Sequence, residues 1–286
     1  MKSFRTSLRI CMQNIRKWSS SSRIWIIIIM SLLFVFTYTK GITLVSNNLN
    51  EKVSPWIFPF LWTYRYMKIL FFMPVIFIFC DAPFIDTNQV YVMIRTKRRT
   101  WSVGQLLYIM IGSLLYILIL MAATILFHFT HMQWSNQWGN VLGVAGTTNI
   151  LSILNVNYSS IYISPAIINY FSPLQAIFFS VILLWLSMVL LGLLIYVVNS
   201  LTKTKLAGVT VAGFLILLTA VVDGYPKLTW FSPISWNSLN NIAIGKTSAY
   251  PNIDYVLTMY ILFDVILTAL ALILSKKLVV EPQSEI

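Results

Sequence analysis

Charge is what this sequence has least of. From residue 101 to residue 202 there is no Asp, Glu, Lys or Arg, and only 10% of the 286 residues are charged, against about 25% in an ordinary soluble domain. With 58% hydrophobic residues, that scarcity excludes a water-soluble globule and makes the bilayer the chain's solvent. Acid is scarcer than base: 8 Asp and Glu stand against 20 Lys and Arg, a net charge of +12. In a soluble protein such a surplus suits nucleic acid, but beside membrane spans it serves to fix orientation. Cysteine is limited to Cys11 and Cys80; both fall on the side expected to be cytoplasmic, where a structural disulfide is not expected, and both are read as free thiols. The histidines are His128 and His131 alone, short of the three or four ligands of a zinc site, so no metal is assigned. Clustered His, Asp or Ser inside the spans would point to an intramembrane enzyme and polar stripes to a channel; neither pattern stands out. No phosphate loop of the G-x-x-x-x-G-K-S/T kind occurs either, so the chain binds no cofactor and has no nucleotide-binding domain.

What is present is a set of long apolar runs. About 20 apolar residues cross a bilayer core, and six segments qualify: 24–44, 61–80, 101–129, 172–198, 206–222 and 255–274. The expected fold is all-α, one polytopic transmembrane domain over residues 1–286. Ser172 and Pro173 suit the start of the fourth span, Ser172 as its cap and Pro173 at its first position. An inside N-terminus leaves Lys2, Arg5, Arg9, Arg16, Lys17, Arg23, Arg95, Lys97, Arg98, Arg99, Lys203, Lys205, Lys276 and Lys277 in the cytoplasm. That asymmetry makes both termini cytoplasmic in a multi-pass cell-membrane protein, with the first span a retained anchor. Nine of the 10 Trp residues, Trp62, Trp101, Trp138 and Trp236 among them, fall near span ends, as an amphipathic indole prefers. Trp185 alone sits mid-span.

Residues 1–22 read as an amphipathic interface helix. Phe4, Leu8, Cys11, Ile15 and Trp18 recur at helical spacing, and Lys2, Arg5, Arg9, Arg16 and Lys17 fill most of the rest of the wheel. It lies on the inner leaflet, either as an anchor on anionic lipid or as a contact for a cytosolic partner as well. Between spans two and three comes "DAPFIDTNQVYVMIRTKRRT". Asp81 and Pro83 open a short segment, and Asp86 and Thr87 cap a helix whose acids and bases complement its dipole. A positive-inside signal needs only the bases; it does not need Asp81, Asp86, Phe84, Val90, Val92 and Ile94. The uncharged segment 131–171 is expected on the outer interface as short helices and turns. After span five, Ser232 and Pro233 start a helix that Gly245 ends, with Trp236, Leu239, Ile242 and Ala243 on one apolar face that dips into the outer leaflet. A surface loop with interfacial tryptophans is the competing reading.

This layout resembles the membrane subunit of an ABC exporter, in the class-2 family that includes polysaccharide, antibiotic and multidrug efflux permeases. The stretch "DAPFID" followed by "IRTKRRTWSVGQLLY" is similar to permeases of that class in low-GC Gram-positive bacteria. The resemblance implies a cytoplasmic coupling elbow carried by Asp81, Phe84, Asp86, Arg95, Lys97, Arg98 and Arg99, resting with the interface helix on a cytosolic ATPase. It also implies a re-entrant outer segment around Pro233 and Trp236 that caps the exit. ATP and Mg then belong to two copies of a separate ATPase, and a second permease, identical or related, completes the pathway. Ala207, Gly208, Ala212 and Gly213 on span five permit close helix approach and are the expected dimer face. A hydrophobic or amphipathic cargo (peptide, lipid or drug) follows; a non-transporting membrane component or a channel is the alternative.

One acid lies deep in a span. Asp264 sits about 18 Å from the inner boundary at ~1.5 Å per residue, and Lys68 reaches a similar depth counted from Cys80. An intramembrane ion pair of Asp264 with Lys68, or with Arg65, is expected. The competing reading has both side chains snorkelling to the outer interface.

Overall fold

The computed structural model describes residues 2–85, 91–93, 95–148, 162–244 and 249–276. Ten α-helices lie among them: α1 (Lys2–Arg16), α2 (Ser22–Leu49), α3 (Arg65–Phe79), α4 (Arg98–Leu126), α5 (Gly139–Thr147), α6 (Pro165–Tyr170), α7 (Pro173–Thr202), α8 (Lys205–Val222), α9 (Pro226–Thr229) and α10 (Ile253–Leu274). No strand occurs among the described residues beyond one isolated bridge, Val53 to Met132.

Among the described residues five helices are long and apolar enough to cross a membrane: α2, α4 with the 3-10 turn that follows it, α7, α8 and α10. Their start and stop signals are local. Ser172 and Gln175 form a reciprocal capping box at the head of α7, with Pro173 at its first position. Asn50 ends α2 and Lys203 ends α7, both in the left-handed conformation. The second expected span is shorter than its apolar run. Phe58–Trp62 forms a 3-10 turn, Tyr64 is extended, and α3 starts only at Arg65 and runs for 15 residues. At ~1.5 Å per residue that is about 22 Å, less than a bilayer core. Thr63 explains the break, because its hydroxyl donates to the carbonyls of Phe60 and Tyr162 and fixes the turn.

Burial orders the bundle. In its most apolar stretch α7 is 67% buried, whereas α8 is 28% and α10 17% buried; α7 is therefore central, and α8 and α10 lie at the periphery. α3 is lodged among α2, α7 and α8 and buries Phe71, Phe72, Val75, Ile76 and Phe79. Gly208 allows α8 to close on α7, since a Cβ there would lie 2.7 Å from the Ile195 carbonyl oxygen and 2.6 Å from Asn199 Oδ1. Of the four small residues expected as a dimer face on the fifth span, Gly208 and Ala212 are buried inside the chain, whereas Ala207 and Gly213 are half-buried.

The two ends of the bundle differ. At one end lie α1 and the starts of α2, α4 and α8, with the ends of α3, α7 and α10; the contacts described below tie them together, and we call it the basic end. The far end is a layer of short elements. There Val53 exchanges backbone hydrogen bonds with His131 and Gln133, the Trp138 indole donates to the Phe171 carbonyl, and the Ser164 hydroxyl donates to Asn240. The segment after α8 is not the single lipid-facing helix expected from Ser232 to Gly245. Pro233–Asn237 and Leu239–Asn241 are two 3-10 turns, Gly245 lies outside the described residues, and Trp236, Leu239 and Ile242 are buried against the bundle. Tyr255 and Tyr260 of α10 pack edge-on to Trp236, so its ring has protein rather than lipid to face. Trp62, Trp101 and Trp138 are buried likewise, while Trp25 and Trp134 stay exposed.

Candidate functional site

At the basic end α1 is fastened along the start of α4. The Ser3 hydroxyl meets Thr100 Oγ1 at 2.9 Å, the Ser7 hydroxyl donates to the Thr100 carbonyl at 2.7 Å, Asn14 donates to Gln105 at 2.6 Å, and the Trp18 indole donates to the Tyr108 hydroxyl at 2.8 Å. Gly104 sits between these rungs, and a Cβ on it would lie 2.8 Å from Ile10 Cβ and 2.9 Å from the Ser7 carbonyl oxygen. Only glycine lets the two helices approach so closely.

The wheel of α1 therefore has three faces rather than the expected two. Ser7, Ile10, Cys11 and Asn14 are buried against α4, whereas Phe4, Leu8 and Met12 form an exposed apolar row, four residues apart. Arg5, Arg9 and Arg16 are exposed beside that row. Cys11, expected with Phe4 and Leu8, faces the protein, and burial pushes its thiol up to about 11. Ile10 also joins Met93 and Trp101 in a small core of its own, with Ile85 and Val92 packed around it. Through it the linker before α4, the interface helix and α4 share one hydrophobic contact.

The expected elbow residues divide into three groups. Asp81 is tied inward: its carboxylate accepts from Arg23 at 2.5 Å and lies 3.8 Å from Lys205 Nζ. Around it the Asn199 side chain donates to the Cys80 and Ala82 carbonyls and accepts from the Gly208 backbone N–H. One turn thus joins the start of α2, the end of α3 and the α7–α8 connection. Phe84 is buried and stacks edge-on against Phe79 and Tyr108. Burial and the Asp81 charge raise the Cys80 thiol, with Arg23 acting the other way. Arg95, Lys97, Arg98 and Arg99 are exposed, and Arg98 donates to the Lys276 carbonyl at 2.9 Å, reaching the end of α10. Asp86 and Thr87, the expected caps, lie outside the described residues, as do Val90 and Ile94.

Comparison with known proteins gives no match: no family model, no curated protein and no solved structure is similar to this chain. The site's chemistry rests on its own geometry.

That geometry also rewrites the intramembrane pair. Lys68 is bound at 2.6 Å to Asp223, with side chains 2% and 7% exposed, and not to Asp264. Asn241 donates to the other Asp223 oxygen, and Arg65 donates to the Ala220 carbonyl. The depth estimate fails because α3 starts at Arg65. Lys68 is one turn inside the far end, level with Asp223 at the C-terminus of α8, where two cations also suit the helix dipole. Asp264 has no hydrogen-bond partner for either oxygen among the described residues.

Asn199, Gly104 and Asp223 escaped the sequence reading. Of these only Asp223 carried a signal, an acid immediately after an apolar run and so at a helix end. His128 is buried, with Nδ1 facing the Thr124 carbonyl, and no group of three His, Cys, Asp or Glu among the described residues could hold a metal ion.

Proposed function

We propose that the chain is the membrane subunit of an ATP-driven exporter of the ABC class, driven through its basic end by a separate cytosolic ATPase. The observation that carries this reading is the fastening of α1 to α4 beside the exposed Arg95, Lys97, Arg98 and Arg99. A lipid anchor needs only an apolar row and bases. Four polar rungs and a glycine contact instead make α1, the linker core and α4 a single lever, so that a load on the exposed bases is passed to a crossing helix. On this reading α3, extended by the Phe58–Trp62 turn, serves as a sixth crossing shielded by its neighbours, and both termini are cytoplasmic. Asp81 and Phe84 are then internal braces of the elbow, and the bases are its outer contact. A second permease copy completes the pathway through a face other than Gly208.

The test is co-purification of the chain from its native membrane after photo-crosslinking from Arg98 and Arg5. Expected are a crosslinked polypeptide containing a G-x-x-x-x-G-K-S/T loop and vanadate-sensitive ATP hydrolysis by the complex in lipid nanodiscs. Arg98→Glu with Arg99→Glu lowers that hydrolysis about tenfold or more, as charge reversal at an interface does. Absence of any such polypeptide, or hydrolysis indifferent to the reversal, overturns the proposal.

A further inference from the structure

Two residues are out of place by membrane rules: Trp185, mid-span and away from any interface, and Asp264, an acid twelve residues into α10. Both line one groove of about 430 Å³ between α4, α7 and α10. Leu106 and Met110 of α4, Val189 and Leu193 of α7 form much of its wall. The rest of the wall is also apolar except for Asp264 and Thr268. The Trp185 indole N–H is occupied by the Met110 carbonyl at 2.8 Å, which leaves the ring as π surface and not as a donor. Both Asp264 oxygens are buried and without a hydrogen-bond partner among the described residues. The nearest expected countercharge, Lys68, belongs to Asp223, and Arg65 reaches Ala220.

An acid in an apolar wall is costly unless a cation or water meets it. A carboxyl and an indole face in one apolar groove are the elements that recognise a hydrophobic cation: the acid supplies the charge, the ring adds cation–π attraction, and the wall takes the apolar body. Low dielectric lets that attraction act over several ångströms. A neutral lipid tail would fill the wall and leave Asp264 unanswered. We infer that the groove between α4, α7 and α10 binds an amphipathic molecule with a cationic centre, with Asp264 as its counter-ion and Trp185 as its aromatic face. This site is independent of the basic end, and its occupancy is measurable without an ATPase.

The probe is tetraphenylphosphonium, with tetraphenylborate as a control of the same shape and opposite charge. Binding is measured to the full chain in phosphatidylcholine nanodiscs, less that of empty nanodiscs. The expected result is saturable binding of the cation only, weakened roughly tenfold or more by Asp264→Asn and less by Trp185→Leu. Should Asp264→Asn fail to fold, protection decides: in an otherwise native chain, a Thr268→Cys thiol in the groove is shielded from maleimide by the cation and not by the anion. Equal binding by the native chain and Asp264→Asn overturns the proposal. So do equal affinity for the borate and a Thr268→Cys thiol that the cation leaves unprotected. An Asp264→Asn chain that loses self-association, with no cation binding by the native chain, assigns the groove to a second copy and also overturns it.

Discussion

Lys68 and Asp223 set the terms at the scale of single residues. Two nearly inaccessible charges 2.6 Å apart, with Asn241 satisfying a further lone pair, are worth little net gain over a well-packed apolar pair, yet breaking one side leaves a bare buried charge that costs about 3–5 kcal/mol. Asp223→Asn is therefore expected to lower the melting temperature in detergent more than the joint change Lys68→Met with Asp223→Leu. A double variant as damaged as the single one would contradict the buried pair. The cysteines give a second check. Cys11 is buried and its thiol lies at about 11 rather than 9.0, while Cys80 is only partly buried. The neutral thiol is the form the fold prefers, so its contribution is intact below pH 9 and is lost as pH rises toward 11. At pH 8 iodoacetamide should modify Cys80 at least about tenfold faster than Cys11, a difference that unfolding removes, since reactivity follows thiolate fraction and access.

Among elements, the joint between α1 and α4 is the one whose failure is most specific. A methyl group on Gly104 must displace Ile10 Cβ and the Ser7 carbonyl oxygen. Neither is the free end of a flexible side chain, so Gly104→Ala costs about 1–3 kcal/mol by overpacking and lifts α1. Paired cysteines replacing Ser3 and Thr100, whose hydroxyl oxygens are 2.9 Å apart, should oxidise to a disulfide in the native background and much less with Gly104→Ala added. Equal crosslinking in both would show that the glycine contact does not hold the joint. The five long crossings were legible in the sequence because apolar length is a one-dimensional property. The joint was not: Ser3, Ser7, Asn14 and Gln105 acquire meaning only when paired across some 90 residues, and a helical wheel cannot tell a lipid face from a protein face. Cys11 shows the ambiguity, apolar enough for either. Trp62, Trp101 and Trp236 failed for the same reason, since an indole near a span end suits the interface and a protein core alike: the core supplies the Thr229 carbonyl to Trp236, while the Trp62 indole N–H is buried with no hydrogen-bond partner among the described residues. Trp185 and Asp264, by contrast, were visible as anomalies in the sequence, and it took the fold to put them in one groove.

Across the whole molecule, the two ends differ both in the number of bases and in what accompanies them. At the far end Lys68 is neutralised by Asp223, the Glu51 carboxylate accepts from Asn140, and Asp254 lies in the first turn of α10. At the basic end the one acid among the described residues, Asp81, is held by Arg23 and Lys205, which leaves Arg5, Arg9, Arg16, Arg95, Lys97, Arg98 and Arg99 without a carboxylate among the described residues. Translocation is resisted by Lys and Arg close to span ends and little affected by Asp and Glu, so the basic end is the one expected to stay in the cytoplasm. Cysteines in place of Lys97 and Lys276 should react with a membrane-impermeant maleimide only after cells are permeabilised. Cysteines in place of Trp134 and Tyr225, both exposed at the far end, should react in intact cells. Exchange of the two patterns would invert the molecule and remove the basic end from reach of any cytosolic ATPase. Labelling of all four in intact cells would mean the bundle does not sit across the membrane along its helix axes, and the crossing of α2, α4, α7, α8 and α10 would fail with it.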